Sequence, residues 1–276
     1  MSDLAEFQPV TRTEICSLAA VRRVAAMLDL DPETVVEGDP LPNGWHFVLL
    51  GADTRRSALR SDGFPGLGVP MPDFGLPRLM LGGRTVDYLR PIPVGATVHR
   101  SSVIKSLKEK SNAAGQMVIV TIGHELRVAD ANEPAVGETQ TYVLLGGESR
   151  FKETQREKVD VLAPHLKTVT PDETLLFQYS ALGFNSHKIH IDRAHAREVE
   201  GFPDLVVNGG LTTLLLTEFA RNELGLDLQS FKMKHVAPLF CGRELTLAAE
   251  REGGQWRMKA YDEAGTVAAE MEVEVK

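Results

Sequence analysis

The sequence is organised around Phe177-Gln178-Tyr179-Ser180-Ala181-Leu182-Gly183-Phe184-Asn185-Ser186-His187-Lys188-Ile189-His190-Ile191-Asp192 and, shortly after it, Val206-Val207-Asn208-Gly209-Gly210-Leu211. Four hydrogen-bonding or ionisable side chains fall within eight residues: Asn185, His187, His190 and Asp192. This density is higher than an ordinary solvent-exposed loop requires. Histidine titrates near neutral pH and is the most common general acid or base. The first segment is therefore a candidate proton-transfer site, although each histidine could instead be hydrogen-bonded for structure or exposed.

The glycine pair of the second segment precedes an apolar run that predicts a helix buried on most sides. The first backbone N–H groups of a helix have no intrahelical partner, so they attract developing negative charge, and glycine lets a ligand approach them closely. A histidine facing such a helix start suits proton transfer next to a thioester carbonyl. The alternative is that Gly209 and Gly210 only permit tight packing of the helix.

Other chemistries are less well supported. Zinc could use His187 and His190, but their spacing has no cysteine partner and no second cluster beside it, so no metal site is predicted. Ser180 and Ser186 lie in no nucleophile elbow, which argues against a serine hydrolase.

Strand patterns occur twice along the chain. The first set, read as an antiparallel meander, covers residues 85–90, 97–107, 117–128 and 139–145, and the second covers residues 230–236, 244–250, 256–261 and 266–275. Between them, residues 148–171 are charged and lack strand periodicity, so we interpret them as a link.

A short repeat relates the two halves. Residues 90–98 and residues 237–245 both read Pro, aliphatic, two residues, Gly, two residues, aliphatic, and a glycine pair precedes each of them, at residues 82–83 and 209–210. The repeat predicts two related units, each a curved antiparallel sheet on a helix. We assign residues 1–147 to the first unit, 148–171 to the linker and 172–276 to the second unit.

The remaining segments of the chain also have recognisable local patterns. Thr11 and Glu14 form a capping-box pattern for a helix that ends near Leu28. Residues 45–50 and 174–180 have the apolar character of strands. Residues 40–78 are rich in proline and glycine, which predicts an ordered irregular loop, either a lid on a substrate or a packed surface excursion.

Composition limits the possible partners. The 276 residues carry a net charge of −8, which argues against a nucleic-acid surface. Cys16 and Cys241 lie in dissimilar contexts, so a disulfide is not expected. The first residues lack a signal-peptide pattern and no run is long enough for a membrane span, so a cytoplasmic protein is expected.

The segment 179–192 resembles the active-site segment of MaoC-like (R)-specific enoyl-thioester hydratases, whose motif is Asp-x-Asn-Pro-x-His. Asn185 and His190 are five residues apart, as the Asp and His of the motif are, which places His187 at the Asn and Lys188 at the Pro. The form Phe-Asn-x-His-x-Ile-His-x-Asp is similar to the double-hotdog branch that includes mesaconyl-C4-CoA, itaconyl-CoA and 3-methylfumaryl-CoA hydratases. Similar segments span most of residues 40–275.

The resemblance implies an α+β double hotdog, with two curved antiparallel sheets wrapped on long helices. It also implies reversible hydration of an enoyl-CoA thioester, with a short branched dicarboxylic acyl group such as itaconyl or mesaconyl-C4. His190 would move the proton and Asn185 would position the water. Because an amide is no base, His187 or Asp192 could compensate for the carboxylate that is missing at residue 185.

Substrate contacts are assigned on the same resemblance. The backbone of Gly209 and Gly210 would hold the thioester, with Val207 and Asn208 beside it. His187 would also contact the substrate. Lys188 and Arg84 are candidates for binding the free carboxylate, although both could be surface charges. CoA is part of the substrate and no further cofactor is expected.

One active site per chain and a homodimer are expected, with CoA between the halves or across the dimer interface. A non-catalytic acyl-CoA-binding hotdog protein and a thioesterase on the same fold remain the alternatives.

Overall fold

A computed structural model of the chain describes residues 7–112, 115–146, 151 and 157–276. The strands and α-helices of the described residues are β1 (Val10–Ile15), α1 (Leu18–Met27), β2 (Arg78–Tyr88), β3 (Thr97–Asn112), β4 (Gly115–Val128), β5 (Val136–Leu145), β6 (His165–Val169), α2 (Glu173–Leu182), α3 (Gly209–Glu218), β7 (Leu228–His235), β8 (Leu245–Glu252), β9 (Gln255–Tyr261) and β10 (Val267–Val275). None of these helices is long and apolar enough to cross a membrane.

The strands form one antiparallel sheet in the order β1-β3-β4-β5-β2-β7-β10-β9-β8-β6. Its first five strands come from the first half of the chain and its last five from the second half, and the order within one half mirrors the order within the other. α1 follows β1 just as α2 follows β6. The predicted α+β class with two related units is confirmed, but the units are joined edge to edge through β2 and β7.

The strand order explains two differences from the prediction. β2 pairs with β5 rather than with β3, so the first half is not a simple meander. Gly82 and Gly83 lie inside β2, where a side chain on Gly83 would meet the Met233 carbonyl of β7. This glycine pair therefore serves the junction between the units and is not equivalent to Gly209-Gly210.

Helix α3 is the buried helix of the second unit. Leu211, Leu214 and Leu216 are almost fully buried, and a π-helical turn, Phe219–Glu223, extends the helix. The buried character that the apolar run predicts is confirmed. Between α1 and β2, all of which is described, the first unit has only short 3-10 turns, at Pro32–Thr34, Trp45–Leu49 and Arg56–Ala58, so it has no counterpart of α3 at this place.

Near the N-terminus, the predicted capping box is wrong. Thr11 and Glu14 lie in β1, where alternate residues face the solvent and the strand pairs with β3. The true cap is Ser17, whose Oγ accepts a hydrogen bond from the Ala20 N–H at 3.2 Å, so α1 begins at Leu18. Pairing with β3 prevails over the local capping signal.

Two predicted strands are helical. Residues 45–49 form a 3-10 turn after Gly44, whose φ of 97° starts the turn. Residues 173–182 form α2 because the Asp172 carboxylate accepts a hydrogen bond from the Leu175 N–H at 2.8 Å and caps the helix. The rest of the loop at residues 40–77 is irregular, as predicted.

The predicted linker contains the strand β6, which pairs with β8 at the sheet edge. Residues 147–150 and 152–156 lie outside the described residues. The boundaries 1–147, 148–171 and 172–276 therefore stay predictions.

Candidate active site

A cavity of about 720 Å³ is lined by residues from both halves of the chain. The first half contributes side chains of β2 and β5, among them Leu81, Arg84 and Tyr142. The second half contributes the segment after α2, the start of α3 and the end of β7. The two sequence segments that were singled out as a candidate site thus meet at one cavity.

His190 lies in the cavity wall at the end of a 3-10 turn, Lys188–His190. Its Nδ1 is 2.7 Å from the backbone carbonyl oxygen of Val206, which can only accept a hydrogen bond. The ring proton therefore sits on Nδ1, and Nε2 carries a lone pair. Burial lowers the pKa of His190 to about 3, with a further contribution from His187, so the imidazole is neutral at physiological pH.

Asn185 follows α2 and lines the same cavity. Its backbone N–H donates to the Ser180 carbonyl at 2.8 Å, and its Oδ1 accepts from the His187 N–H at 3.1 Å. The first bond fixes the backbone of Asn185 and the second holds its side chain, while its NH₂ group has no partner in the described part of the chain. Asn185 can donate a hydrogen bond but cannot take up a proton.

His187 also lines the cavity, with its ring centroid 5.5 Å from that of His190 and an angle of 89° between the rings. Its Nε2 is 3.7 Å from the Asp62 carboxylate, which is beyond hydrogen-bond distance. The pKa of His187 is lowered to about 4, mainly by burial and to a smaller extent by Arg60 and His195. This second imidazole is therefore neutral as well.

Lys188 and Asp192 do not line the cavity. The Lys188 ammonium donates to the Ser61 carbonyl at 2.8 Å on the exposed side of the turn. The Asp192 carboxylate accepts from the His195 N–H at 3.0 Å and starts the next helical turn. No group of three His, Cys, Asp or Glu residues suitable for a metal occurs in the described ranges.

The start of α3 opens on the cavity through Val207, Asn208, Gly209 and Gly210. Asn208 is the N-cap residue, but its side chain does not cap the helix and instead donates from Nδ2 to the Ser180 hydroxyl at 3.2 Å. The first amides of α3 consequently have no capping side chain. They remain able to bind an oxygen atom that carries negative charge.

The glycine pair makes room for two polar rings. A Cβ atom on Gly210 would overlap the phenol oxygen of Tyr179, and one on Gly209 would lie 3.2 Å from the His235 ring. Both rings line the cavity. Close packing does require these glycines, but the packing brings polar groups to the helix start.

Arg84 lies in the cavity wall, with a side chain that is only 9% exposed. Burial opposes its charge, whereas Glu138 and three surrounding tyrosines keep its pKa raised. Of the two cations that were candidates for a substrate carboxylate, the structure places Arg84 in the cavity and Lys188 outside it.

Sequence reasoning gave no role to Tyr179, Tyr142 or His235, which also line the cavity. Burial lowers the pKa of His235 to about 3, and the charge of Arg84 adds to this effect. Tyr179 lies inside the quoted segment, but reading residues 174–180 as a strand hid its place on a buried helical face. His235 ends a strand and Tyr142 lies in another, and the sequence pattern of a strand does not indicate which of its residues face a cavity.

The sequence of this chain is similar to one protein family and to two characterised relatives. Residues 44–241 match the family model described as hydroxyacyl-thioester dehydratase type 2. The chain is 33% identical over 263 residues to mesaconyl-C(4)-CoA hydratase of Chloroflexus aurantiacus, covering 95% of this chain and 93% of the relative. It is 24% identical over 241 residues to the mitochondrial hydroxyacyl-thioester dehydratase type 2 of Schizosaccharomyces pombe, covering 78% and 80%.

Solved structures share the fold. A MaoC-like dehydratase from Phytophthora capsici superposes with a TM-score of 0.69 at 15% identity, covering 98% of this chain and 95% of that one. HtdX of Mycobacterium tuberculosis gives a TM-score of 0.68 at 18% identity, covering 98% and 100%. These likenesses confirm the predicted double-hotdog fold.

Proposed function

From the membership of this chain in the hydroxyacyl-thioester dehydratase type 2 family of MaoC-like enzymes, we propose that it reversibly hydrates the double bond of a short branched dicarboxylic enoyl-CoA. The chain is a hydratase or dehydratase of acyl thioesters. The name of the mesaconyl-C(4)-CoA hydratase relative supports the acyl class.

The observation that carries the residue roles is the orientation of His190. Its Nδ1–H donates to the Val206 carbonyl, so the basic Nε2 is available to a ligand in the cavity. The start of α3, with its uncapped amides, opens on the same cavity. A base and an anion-binding helix start in one cavity are the parts that hydration of a thioester-conjugated double bond needs.

In the proposed mechanism, the thioester oxygen accepts hydrogen bonds from the Gly209 and Gly210 amides. These bonds draw electrons toward the oxygen and make the β carbon electrophilic. The Asn185 NH₂ group donates to the water oxygen and holds it beside that carbon. The water oxygen then bonds to the β carbon while Nε2 of His190 takes one water proton, and the π electrons of the double bond move into an enolate.

The second half of the reaction returns the proton. Protonated His190 gives it to the α carbon, the enolate collapses to the thioester, and the imidazole is neutral again. One water is consumed and no proton is gained or lost overall. Val207 and Asn208 shape the wall next to the thioester, and His187 shapes the wall next to His190. CoA is part of the substrate in this proposal, and no step needs another cofactor.

The first experiment is an assay of the purified chain with mesaconyl-C4-CoA, itaconyl-CoA and crotonyl-CoA. Loss of the absorbance of the conjugated thioester, with a product heavier by one water, is expected for mesaconyl-C4-CoA. The double bond of itaconyl-CoA is not conjugated to the thioester, so its hydration is followed by the mass of the product alone. His190→Gln serves as the inactive control. Release of free thiol would instead indicate a thioesterase, and binding without either change would indicate a non-catalytic acyl-CoA-binding protein.

A further inference from the structure

The guanidinium of Arg84 is a buried cation without a hydrogen-bonding partner in the described part of the chain. It lies in the cavity wall, and its Nε is fully buried and unpaired. A guanidinium has five N–H donors, and leaving buried donors unsatisfied is unfavourable. Buried charges are normally paired and hydrogen-bonded. The unfilled donors of Arg84 therefore indicate a ligand.

Glu138 is the nearest carboxylate, but it does not fill these donors. Its Oε1 accepts from the Gln140 amide at 2.7 Å and its Oε2 is 2.7 Å from Nε2 of His46. The closest approach of Arg84 to it is 3.5 Å, from NH1 to Oε1. Glu138 is thus an ion-pair partner of Arg84, but no hydrogen bond joins the two side chains, and each oxygen of Glu138 has a shorter contact with another residue.

The role of the Glu138 carboxylate is to keep the guanidinium of Arg84 charged. Burial opposes ionisation of Glu138, yet Arg84 and His46 lower its pKa to about 2, so it is an anion. This anion in turn keeps the pKa of Arg84 raised. Tyr142 supports the arrangement, because its hydroxyl donates to Oε1 of Gln140 at 2.6 Å. The guanidinium of Arg84 is therefore kept charged at the cavity by Glu138, which Gln140 and Tyr142 support. None of these three residues forms a hydrogen bond with it.

Tyr179 adds a second donor. Its phenol oxygen lies against Gly210 at the start of α3, lines the cavity and has no hydrogen-bonding partner among the described residues. Arg84 and Tyr179 both line this cavity, and burial raises the pKa of the phenol while the Arg84 charge opposes that shift, so the phenol is a neutral donor. The phenol ring is fixed by stacking on Phe47, with centroids 4.6 Å apart.

Resting on the proposed hydration of a dicarboxylic enoyl thioester, we infer that Arg84 and Tyr179 form the subsite that binds the free carboxylate of the acyl group. A carboxylate can accept two parallel N–H bonds from the guanidinium and a third bond from the phenol. Because Tyr179 also touches the start of α3, the carboxylate lies close to the thioester oxygen. The subsite therefore selects short dicarboxylic acyl groups.

Other cations in the region do not compete for this role. The Lys188 ammonium is bonded to Ser61 outside the cavity, and His235 is neutral. Arg78 lines the cavity, but it lies six residues from Arg84 on β2, which is roughly 20 Å along a strand. Arg78 is therefore a matched control, a cation of the same strand and cavity that is remote from the subsite.

The test compares kcat/KM for mesaconyl-C4-CoA and crotonyl-CoA, which differ in the free carboxylate. Arg84→Gln should lower the ratio of dicarboxylic to monocarboxylic activity roughly 10- to 100-fold, as expected for loss of a charge-assisted hydrogen-bonded pair. Tyr179→Phe should lower it a few-fold. Arg78→Gln should leave the ratio unchanged even if both KM values rise. An unchanged ratio in Arg84→Gln overturns the inference.

A binding measurement separates this inference from the proposed function. Succinyl-CoA and butyryl-CoA have no double bond to hydrate and differ in the terminal carboxylate. Wild type should bind succinyl-CoA more tightly, and Arg84→Gln should bind the two about equally. That result supports the subsite even if no hydration occurs, whereas equal binding by wild type overturns it. If Arg84→Gln does not fold, Arg84→Lys, which keeps the charge but not the paired donors, replaces it and should lose most of the preference.

Discussion

The Nδ1 atom of His190 lies 2.7 Å from the backbone carbonyl oxygen of Val206. The Val206 N–H in turn donates to the Ile189 carbonyl at 2.9 Å, so the two segments are tied to each other in both directions. This pair of bonds fixes the tautomer of His190 and the position of its ring. The next residues, Val207 to Gly210, lead directly into α3. A single stretch of backbone thus sets both the proposed base and the proposed thioester site.

Replacing His190 by glutamine should abolish hydration with little effect on folding. General acid–base catalysis contributes about 100- to 10,000-fold, so kcat/KM should fall by about 1,000-fold or more. The expected measurement is the rate of loss of the conjugated-thioester absorbance. His187→Gln is the matched control in the neighbouring ring and should lose much less activity. Full activity in His190→Gln would show that the base lies elsewhere.

Changes at Asn185 should distinguish positioning of water from proton uptake. Asn185→Ala removes the NH₂ donor and should lower kcat by about 100-fold, because the attacking water is no longer held. Asn185→Asp keeps the oxygen that accepts the His187 N–H and introduces a possible base, so activity should stay within about tenfold of wild type. The measurement is a pH–rate profile for each variant. If the alanine variant is as active as wild type, Asn185 does not position the water.

A side chain at Gly210 should damage both the site and the fold. The new Cβ would overlap the phenol oxygen of Tyr179, and overpacking of this kind costs about 1–3 kcal/mol. Gly210→Ala should therefore lower the urea midpoint and the activity together. Gly137→Ala is the control, because a Cβ there meets nothing closer than 4.0 Å.

Combining Gly210→Ala with Tyr179→Phe should recover part of the lost stability, since the overlapping oxygen is removed. Recovery of stability without recovery of dicarboxylic selectivity is the expected pattern. If the double variant is no more stable than Gly210→Ala, the overlap with the phenol is not the cause of the damage.

Local patterns predicted those parts of the fold in which one periodicity dominates. In β10 the residues Met271 and Val273 are buried and Glu270 and Glu272 are exposed, and the alternation in the sequence matches. α3 was predicted because its apolar run is long and starts at a glycine pair. The strand predicted for residues 174–180 is wrong because a short apolar run does not distinguish strand from helix. The Asp172 cap decides in favour of the helix.

The site was predictable only where its residues are close in sequence. Asn185, His187 and His190 lie within one segment, and the structure places all three in the cavity wall. Tyr142 reaches the cavity through strand pairing across the sheet, which leaves no local pattern in the sequence. Lys188 looked equivalent to Arg84 by charge alone. Its side chain points to Ser61 because the turn that buries His190 places residue 188 on the opposite side.

Acid should destabilise the protein well before its carboxylates are protonated. Burial is the main cause of a lowered pKa at His124 and His187, to about 4, and at His190 and His235, to about 3. Unfolded histidine titrates near 6.5, so between that value and the folded values the unfolded chain binds more protons. The contribution of these buried histidines to the free energy of unfolding is therefore fully present above about pH 6.5. It is lost as the pH falls toward 4, by up to about 1.4 kcal/mol per pH unit for each histidine.

His124 allows this linkage to be measured apart from catalysis. It lies on β4, where its Nδ1 is 2.8 Å from the Ser102 hydroxyl oxygen, and it does not line the cavity. His124→Gln should reduce the dependence of the unfolding free energy on pH between about 6 and 4 by close to one proton, whatever its effect on stability at pH 8. The measurement is urea unfolding at several pH values. An unchanged slope would mean that His124 is protonated in the folded protein, and that burial does not keep it neutral.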